Sequence, residues 1–443
     1  MSAIQHLSKR KSALIALGFA MILALVALIA REDSSQAADP ATPATSVIIL
    51  SGDGMGIQQR TAIQYALYGL EKRQPMDALP YTGMLETSSL GPGMVTDSAA
   101  GATAWSIGKK TINGYTGIGP DKKKVPTLLN IAHEQGKTTA LINDHDVTNA
   151  TLAAFGGPIL NRDLKSQIAL REIRDSKVDI LMGGNEAYWY PPGNPGKIPN
   201  NVPEEDHSEG TRGNLVKKAI DMGYQYAYDR KTFADVTGPK VLALVQDSAK
   251  RRWEAEKGYK YKKDPHYVPV KDMVTKALEI AGQNPNGFFM AMESDDLDSA
   301  GHEHDVRNVI QSGQTMNQIV TAIQEYRETN PNVLVIVTAD HETGGMTIEP
   351  MGETNTNSDG DDPIPYWGKK ALNNAGPNGE VPTRSGPVKV KGTKRKFKVD
   401  WTTPEHTGGY VPVTAVGPLA EKMVGVWPNT HVFDVAKEAL TTP

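Results

Sequence analysis

Ser46-Val47-Ile48-Ile49-Leu50-Ser51-Gly52-Asp53-Gly54-Met55-Gly56 is the stretch whose reading decides the fold. Residues 46–50 form a short, apolar, β-branched run, which reads as a buried strand. A turn of small residues carrying Asp53 follows and leads into a helix predicted over 57–70. Strand, turn and helix in that order are the building unit of an α/β protein. The pattern repeats along the chain. Further strands are predicted at 81–87, 138–142, 178–181, 241–245, 288–292 and 333–338, and helices at 98–108, 126–135, 163–176, 270–281 and 306–329. Such alternation implies an α/β fold with a mostly parallel central sheet covered by helices on both faces.

Two regions break the alternation and read as surface insertions. Residues 188–211 are rich in proline, glycine and acidic residues. Residues 350–401 carry glycine and asparagine and then an alternating basic run, which reads as a solvated surface hairpin or as a lid or dimer contact beside a site.

The chain has 443 residues, a formal charge of -4 and no cysteine. The charge gives no reason to expect nucleic acid as a specific partner. Without cysteine there are no disulfides, thiolate zinc sites or cysteine nucleophiles. Lys9, Arg10 and Lys11 precede an apolar run at 12–30, and small residues surround Ala37. Residues 1–37 therefore read as a signal peptide, or as an uncleaved signal anchor because the run is long enough to span a bilayer. Residues 38–45 read as a linker, and 46–443 as a single catalytic domain, periplasmic or secreted and possible to anchor through the leader.

The polar residues that carry chemistry cluster after predicted strands, where open α/β sheets place their sites. Asp53 follows the first strand. Glu293, Asp298 and His302 follow the strand at 288–292, and Asp340 and His341 follow the strand at 333–338. His406 stands in Glu405-His406-Thr407-Gly408-Gly409, just before the apolar run 411–416. The i, i+4 spacing of Asp298 and His302 puts both on one helix face. Histidine and aspartate without cysteine suit zinc, and oxygen ligands suit magnesium. Each residue alone has a plain alternative as a turn, cap or surface residue. The joint placement is harder to explain that way. His304 reads as a neighbour of the site or a solvated residue, and His133, His145, His207, His266 and His431 as structural.

Thr96-Asp97-Ser98-Ala99-Ala100-Gly101-Ala102-Thr103-Ala104-Trp105 supplies the remaining element. Its small residues favour a helix with Asp97 or Thr96 as cap. Ser98 then lies at the helix N-terminus, where anions are favoured, and either caps or carries a phosphate covalently.

Taken together, Thr96-Asp97-Ser98-Ala99-Ala100, Val337-Thr338-Ala339-Asp340-His341, Glu293 with Asp298 and His302, and His406-Thr407-Gly408 resemble the alkaline phosphatase family, in the family's order. The resemblance implies hydrolysis of phosphate monoesters, two zinc ions, one magnesium ion and a homodimer. It implies that Ser98 is the nucleophile, that Asp298, His302 and His406 hold one zinc, and that Asp53, Asp340 and His341 hold the second. It further implies that Asp53, Glu293 and Thr151 hold magnesium and that Arg162 binds the phosphate. The chain departs from the family at Asn149, where aspartate or histidine is frequent, and at Ser299. Phosphodiesterases and sulfatases on the same scaffold are the nearest rivals. The Ala99-Ala100-Gly101 run after Ser98 departs from the sulfatase pattern of proline and arginine. A metal-stabilised binding protein without turnover is the rival from another class.

Overall fold

The computed structural model describes residues 46–198, 208–246, 264–350, 355–356, 363–364 and 385–441. The leader and linker expected at 1–45 lie outside the described residues. Among those described, no helix is long and apolar enough to cross a membrane.

Ten strands make the main sheet. In chain order they are β1 (Ser46–Gly52), β2 (Tyr81–Glu86), β3 (Thr138–Asp146), β4 (Ile180–Gly184), β5 (Gln225–Ala227), β6 (Val241–Gln246), β7 (Phe288–Ser294), β8 (Val333–Thr338), β9 (Val411–Val416) and β10 (Gly425–Pro428). Their spatial order is β10-β2-β9-β8-β1-β7-β3-β4-β6-β5. Only β9 opposes its neighbours, and every other adjacent pair is parallel. The mixed α/β architecture with a mostly parallel sheet is therefore the observed one. β1, β7 and β8 are buried along their whole length, which is why they read as continuous apolar runs.

The helices that flank the sheet bury one stripe each. The helix Val270–Ala281 buries Val270, Met273, Val274, Ala277, Leu278 and Ala281, the spacing of a single helical face. The long helix Val306–Arg327 buries Val306, Val309, Met316, Ile319, Val320 and Ile323. From β1 the chain passes to β2 on one side and to β3 on the other, so β1 lies at a switch point of the sheet. Parallel strands with such a switch leave a crevice beyond their carboxyl ends.

The described parts of the two insertions pack more than the sequence suggested. In the first, Trp189 and Tyr190 are buried, and the Glu186 carboxylate accepts the backbone N–H groups of Lys197 and Ile198. In the second, Lys396–Asp400 pairs antiparallel with both Thr347–Pro350 and Val388–Lys389. The hairpin is there, but its alternate residues Phe397 and Val399 are buried, as is Trp401. Phe397 packs edge-on against Tyr65 of the first helix, 6.1 Å between ring centres. The basic residues between them are the outer face of a period-2 strand.

Candidate functional site

The carboxyl ends of β8, β1, β7 and β3 lie side by side. Their register sets Ser51 opposite Thr338 on one side and Glu293 on the other, and sets Asn143 opposite Glu293. Asp53 leaves β1 just beyond this level, its N–H donating to the Ser294 carbonyl at 3.1 Å. Asp340 leaves β8 beside it and accepts the Gly54 N–H at 3.2 Å. Four strands thus deliver their polar ends to one level.

The helix Ser98–Ile107 brings in the hydroxyl. Asp97 caps it by accepting the Ala100 N–H at 2.9 Å, and Gly108, in the left-handed region with φ 67°, ends it. Every residue of this helix is buried. A Cβ on Gly101 would stand 3.0 Å from the Asp340 Cβ, so the small side chains let the helix lie against the end of β8. Ser98 Oγ consequently reaches within 3.3 Å of His341 Nε2. The second Asp97 oxygen takes the Gly114 N–H at 2.9 Å and Arg162 Nη1 at 3.1 Å. One carboxylate therefore fixes both the helix start and the guanidinium. Burial works against the Arg162 charge, but Asp97 outweighs it and holds the guanidinium above its ordinary pKa.

The histidines arrive from three places. The short helix Asp296–His302 presents Asp298 and His302 on one face, Oδ2 to Nε2 3.1 Å. His406 comes from far along the chain through an antiparallel pairing of His406–Thr407 with Glu342–Thr343. Its ring stacks on that of His341, centres 3.6 Å apart. His302 Nδ1 and His406 Nδ1 lie against the carbonyls of Pro404 and Thr96, to which each can donate its proton. In the neutral rings that would turn both Nε2 lone pairs inward, where the two atoms lie 3.2 Å apart.

The electrostatics ask for cations. Burial, then Asp340, Asp298, Glu293 and Asp295, push the Asp53 carboxyl well above the usual carboxylate range. Burial and then Asp295 do the same to Glu293. Burial, then Asp298, raises Asp340 to about 7. Burial and then His406 depress the His341 imidazolium, which keeps the ring neutral. Asp298 is the exception, since burial would raise it but the His302 hydrogen bond and the nearby imidazoles hold it below the ordinary range. In turn His302 is raised to about 9, where burial opposes and Asp298 prevails. Asp53 Oδ1, Asp340 Oδ2, Glu293 Oε1 and Thr151 Oγ1 are buried without a hydrogen-bond partner. Orphaned oxygens at crowded carboxylates fit bound cations.

Three groups bring their ligand atoms within 4.8 Å of one another: Asp298 with His341 and His406, Asp53 with Asp340 and His341, and Asp53 with Glu293 and Asp295. The first two carry nitrogen and oxygen and suit zinc, and the third is all oxygen and suits magnesium. The structure thus gathers Asp53, Glu293, Asp298, His302, Asp340, His341 and His406 with Ser98. Arg162 is tied in through Asp97. Thr151 lies in the first turn of the helix Ala150–Gly156, close enough to act on the Glu293 carboxyl.

Sequence reasoning missed the end of β3. The strand runs on to Asp146, beyond the 138–142 expected. Asn143 Nδ2 donates to Glu293 Oε2 at 2.6 Å, and Asp144 accepts from Ser294 Oγ and the Asp295 N–H at 2.7 and 2.8 Å. His145, read as structural, places Nε2 3.9 Å from Asp295 Oδ2. The polar run Asn143-Asp144-His145-Asp146 at a strand end is the same signal that marked Asp53 and Glu293. His304 is buried, stacked on Trp401 at 5.2 Å, and its Nε2 lies 2.8 Å from the Thr403 carbonyl.

Comparison with known proteins agrees with this geometry. The family model described as alkaline phosphatase matches residues 44–442. Alkaline phosphatase 4 of Bacillus subtilis is 28% identical over 438 residues, covering 90% of this chain and 89% of its own. Alkaline phosphatase of Escherichia coli (strain K12) is 27% identical, covering 90% of this chain and 86% of its own. Among solved structures, a cold-active alkaline phosphatase from the psychrophile Shewanella sp. superposes with a TM-score of 0.69 at 25% identity, covering 90% of this chain and 100% of that one.

Proposed function

The chain belongs to the alkaline phosphatase family and is a metal-dependent phosphomonoester hydrolase; from that premise we propose that its reaction passes through a covalent phosphoserine at Ser98. The observation that carries the proposal is the placement of the Ser98 hydroxyl. It sits on the first residue of a helix, 3.3 Å from His341, which belongs to two of the three candidate cation groups.

The roles follow from the geometry. Arg162, held by Asp97, offers a planar fork for two nonbridging phosphate oxygens. The N-terminus of the Ser98 helix adds its dipole to the same charge. Ser98 Oγ attacks phosphorus in line, the ester bond to the leaving alcohol breaks, and the phosphoryl group stays on Ser98. Water then attacks from the opposite side, the Ser98–phosphorus bond breaks, and inorganic phosphate leaves. Two inversions give net retention at phosphorus.

Asp298, His302 and His406 would hold one zinc ion, Asp53, Asp340 and His341 a second, and Asp53, Glu293 and Thr151 a magnesium ion. When bound, these ions supply Lewis-acid charge that favours the ionised serine and offsets charge on the oxygens of the displacement. The substrates of this reading are small phosphate monoesters. Residues 1–37 act as an export leader that carries the catalytic domain 46–443 to the periplasm or beyond, where it works as a homodimer.

The experiment is turnover of a chiral phosphate monoester, together with acid trapping of phosphorylated protein. Retention, and a trapped phosphoserine absent from Ser98→Ala, are expected. Inversion would sink the covalent route. Faster turnover of a diester or a sulfate ester would keep the scaffold and overturn the substrate class.

A further inference from the structure

We propose that Asp295 is a third carboxylate ligand of the magnesium site, and that this chain therefore binds its third metal ion through Asp53, Glu293 and Asp295. The inference rests on the reading of Asp53, Glu293 and Thr151 as that site. Asp295 is not part of the set that the family resemblance implies.

The first ground is position. One carboxylate oxygen each from Asp53, Glu293 and Asp295 lie within 4.8 Å of one another, close enough to share one ion after a small closure. The second is that two groups at the same place await a ligand. Thr151 Oγ1 and Glu293 Oε1 are buried and make no hydrogen bond. Thr151 and Glu293 are 2% and 1% exposed, so water cannot easily serve them.

The third ground is that Asp295 is held in place. Its N–H donates to Asp144, which also takes the Ser294 hydroxyl, so the end of β3 clamps the segment after β7. Asn149, the N-cap of the Thr151 helix, donates its amide to Asp295 Oδ1. His145 Nε2 stands 3.9 Å from Oδ2. Asn143 meanwhile orients Glu293 through Oε2 and leaves Oε1 for the ion. The same four-residue strand end thus aims both carboxylates. A preset carboxylate adds charge to the site without the entropy of ordering a mobile one.

Zinc-loaded protein titrated with Mn2+ as a spin probe tests the idea, read by the free-ion EPR signal. Wild type is expected to take up one further ion per chain. Asp295→Asn should bind it at least tenfold more weakly, on the scale of lost metal-site partners, while its zinc content stays that of wild type. Asp295→Glu, which keeps the charge, should recover part of the loss. Unchanged Mn2+ affinity in Asp295→Asn would overturn the proposal. A failure of the underlying reading looks different, because wild type itself, and Glu293→Gln with it, would then show no third ion. The melting temperature of each metal-free variant separates lost binding from lost folding.

Discussion

Ser98 Oγ lies 3.3 Å from His341 Nε2 across a sequence separation of 243 residues. The contact exists because the Ser98 helix rests on the backbone after β8 with no side chain at Gly101 to hold it away. A Cβ there meets the Asp340 Cβ at 3.0 Å and the Asp340 carbonyl oxygen at 3.1 Å, and neither is a flexible tip. Gly101→Val is therefore expected to lower kcat/KM on the order of 100-fold by displacing the nucleophile about 1 Å. Gly213→Ala, where a Cβ meets nothing within 4 Å, carries only the strain of its φ of +72°. It should cost about 1 kcal/mol in stability and leave kcat/KM intact. Steady-state kinetics and thermal melts of the two variants check both statements.

Asp97 has two separable tasks. One oxygen caps the helix at the Ala100 N–H, and the other anchors Arg162 at 3.1 Å. Asparagine can still cap but has no charge to offer the guanidinium. Asp97→Asn should weaken phosphate binding, roughly tenfold as in the loss of one charged hydrogen bond, and should lower the melting temperature modestly because its NH2 would face the Gly114 N–H. Asp97→Ala should lose about 1 kcal/mol of stability besides. Adding Arg162→Ala to either variant should cost less than Arg162→Ala costs in wild type, since the two act as one unit. A kinetic double-mutant cycle, with phosphate inhibition as the binding measure, decides it. Strict additivity would mean that Asp97 does not work through Arg162.

Metal removal should change the sign of the pH dependence of stability. In the metal-free protein the folded-state pKa of Asp340 is about 7, and those of Asp53 and Glu293 are also raised, by burial first and then by neighbouring carboxylates. A carboxyl raised in the folded state binds its proton more tightly there than in the unfolded chain. Its stabilisation is fully present below the unfolded value, about 4, and is lost as pH climbs to the folded value. The metal-free protein should thus melt progressively lower from about pH 4 towards pH 7 for Asp340, and beyond it while the other carboxyls still titrate. Bound ions need the deprotonated ligands, so the loaded protein should gain over that range, by about 4 kcal/mol for each ion present at 1,000 times its Kd. Melting curves with and without chelator across this range check the divergence. Parallel curves would argue against cations among these carboxylates.

The parts of the site that could be read early are those where chemistry sits beside a strong periodic signal. Asp53, Glu293 and Asp340 follow strands buried on both faces, so each strand end was visible as the close of an apolar run. His406 could be marked as polar and isolated, but not placed. It reaches His341 through a pairing of only two residues on each side with Glu342–Thr343, a long-range contact that no local pattern encodes. The reversal of β9 is of the same kind. Asn143, Asp144, His145 and Asp146 were passed over because polar residues in sequence read as the end of a strand. Here they lie within the strand, where Asn143 and Asp144 are kept buried by hydrogen bonds with Glu293, Ser294 and Asp295, and Asp146 by those with Thr148 and Lys165. Lys396 and Lys398 concealed Phe397 and Val399 in a similar way, although the period of 2 was present.

Glu172 offers a prediction away from the chemistry. It lies in the helix Lys165–Arg174 and is fully buried, and neither carboxylate oxygen has a hydrogen-bond partner. Its neighbours include Gly156 and Val178, whose side a Cβ on Gly156 would share with the Glu172 Cγ at 3.2 Å. Burial first, and then the charge of Asp146, raise its pKa well above the ordinary value, with Lys165 acting weakly the other way. The folded state therefore prefers the protonated acid, and stability drains away as pH rises above about 4.3, the unfolded value. Glu172→Met fills a similar volume without a polar group to satisfy. Its advantage over wild type should be smallest near pH 4, where the acid is protonated, and should grow by about 1–3 kcal/mol towards pH 8 as ionisation of the buried carboxyl adds its cost. Turnover should be unaltered, because Glu172 is not among the residues gathered at the candidate metal sites. Thermal melts of both proteins between pH 4 and 8 read the difference. A gap that stays constant with pH would mean that packing, rather than the proton, accounts for it.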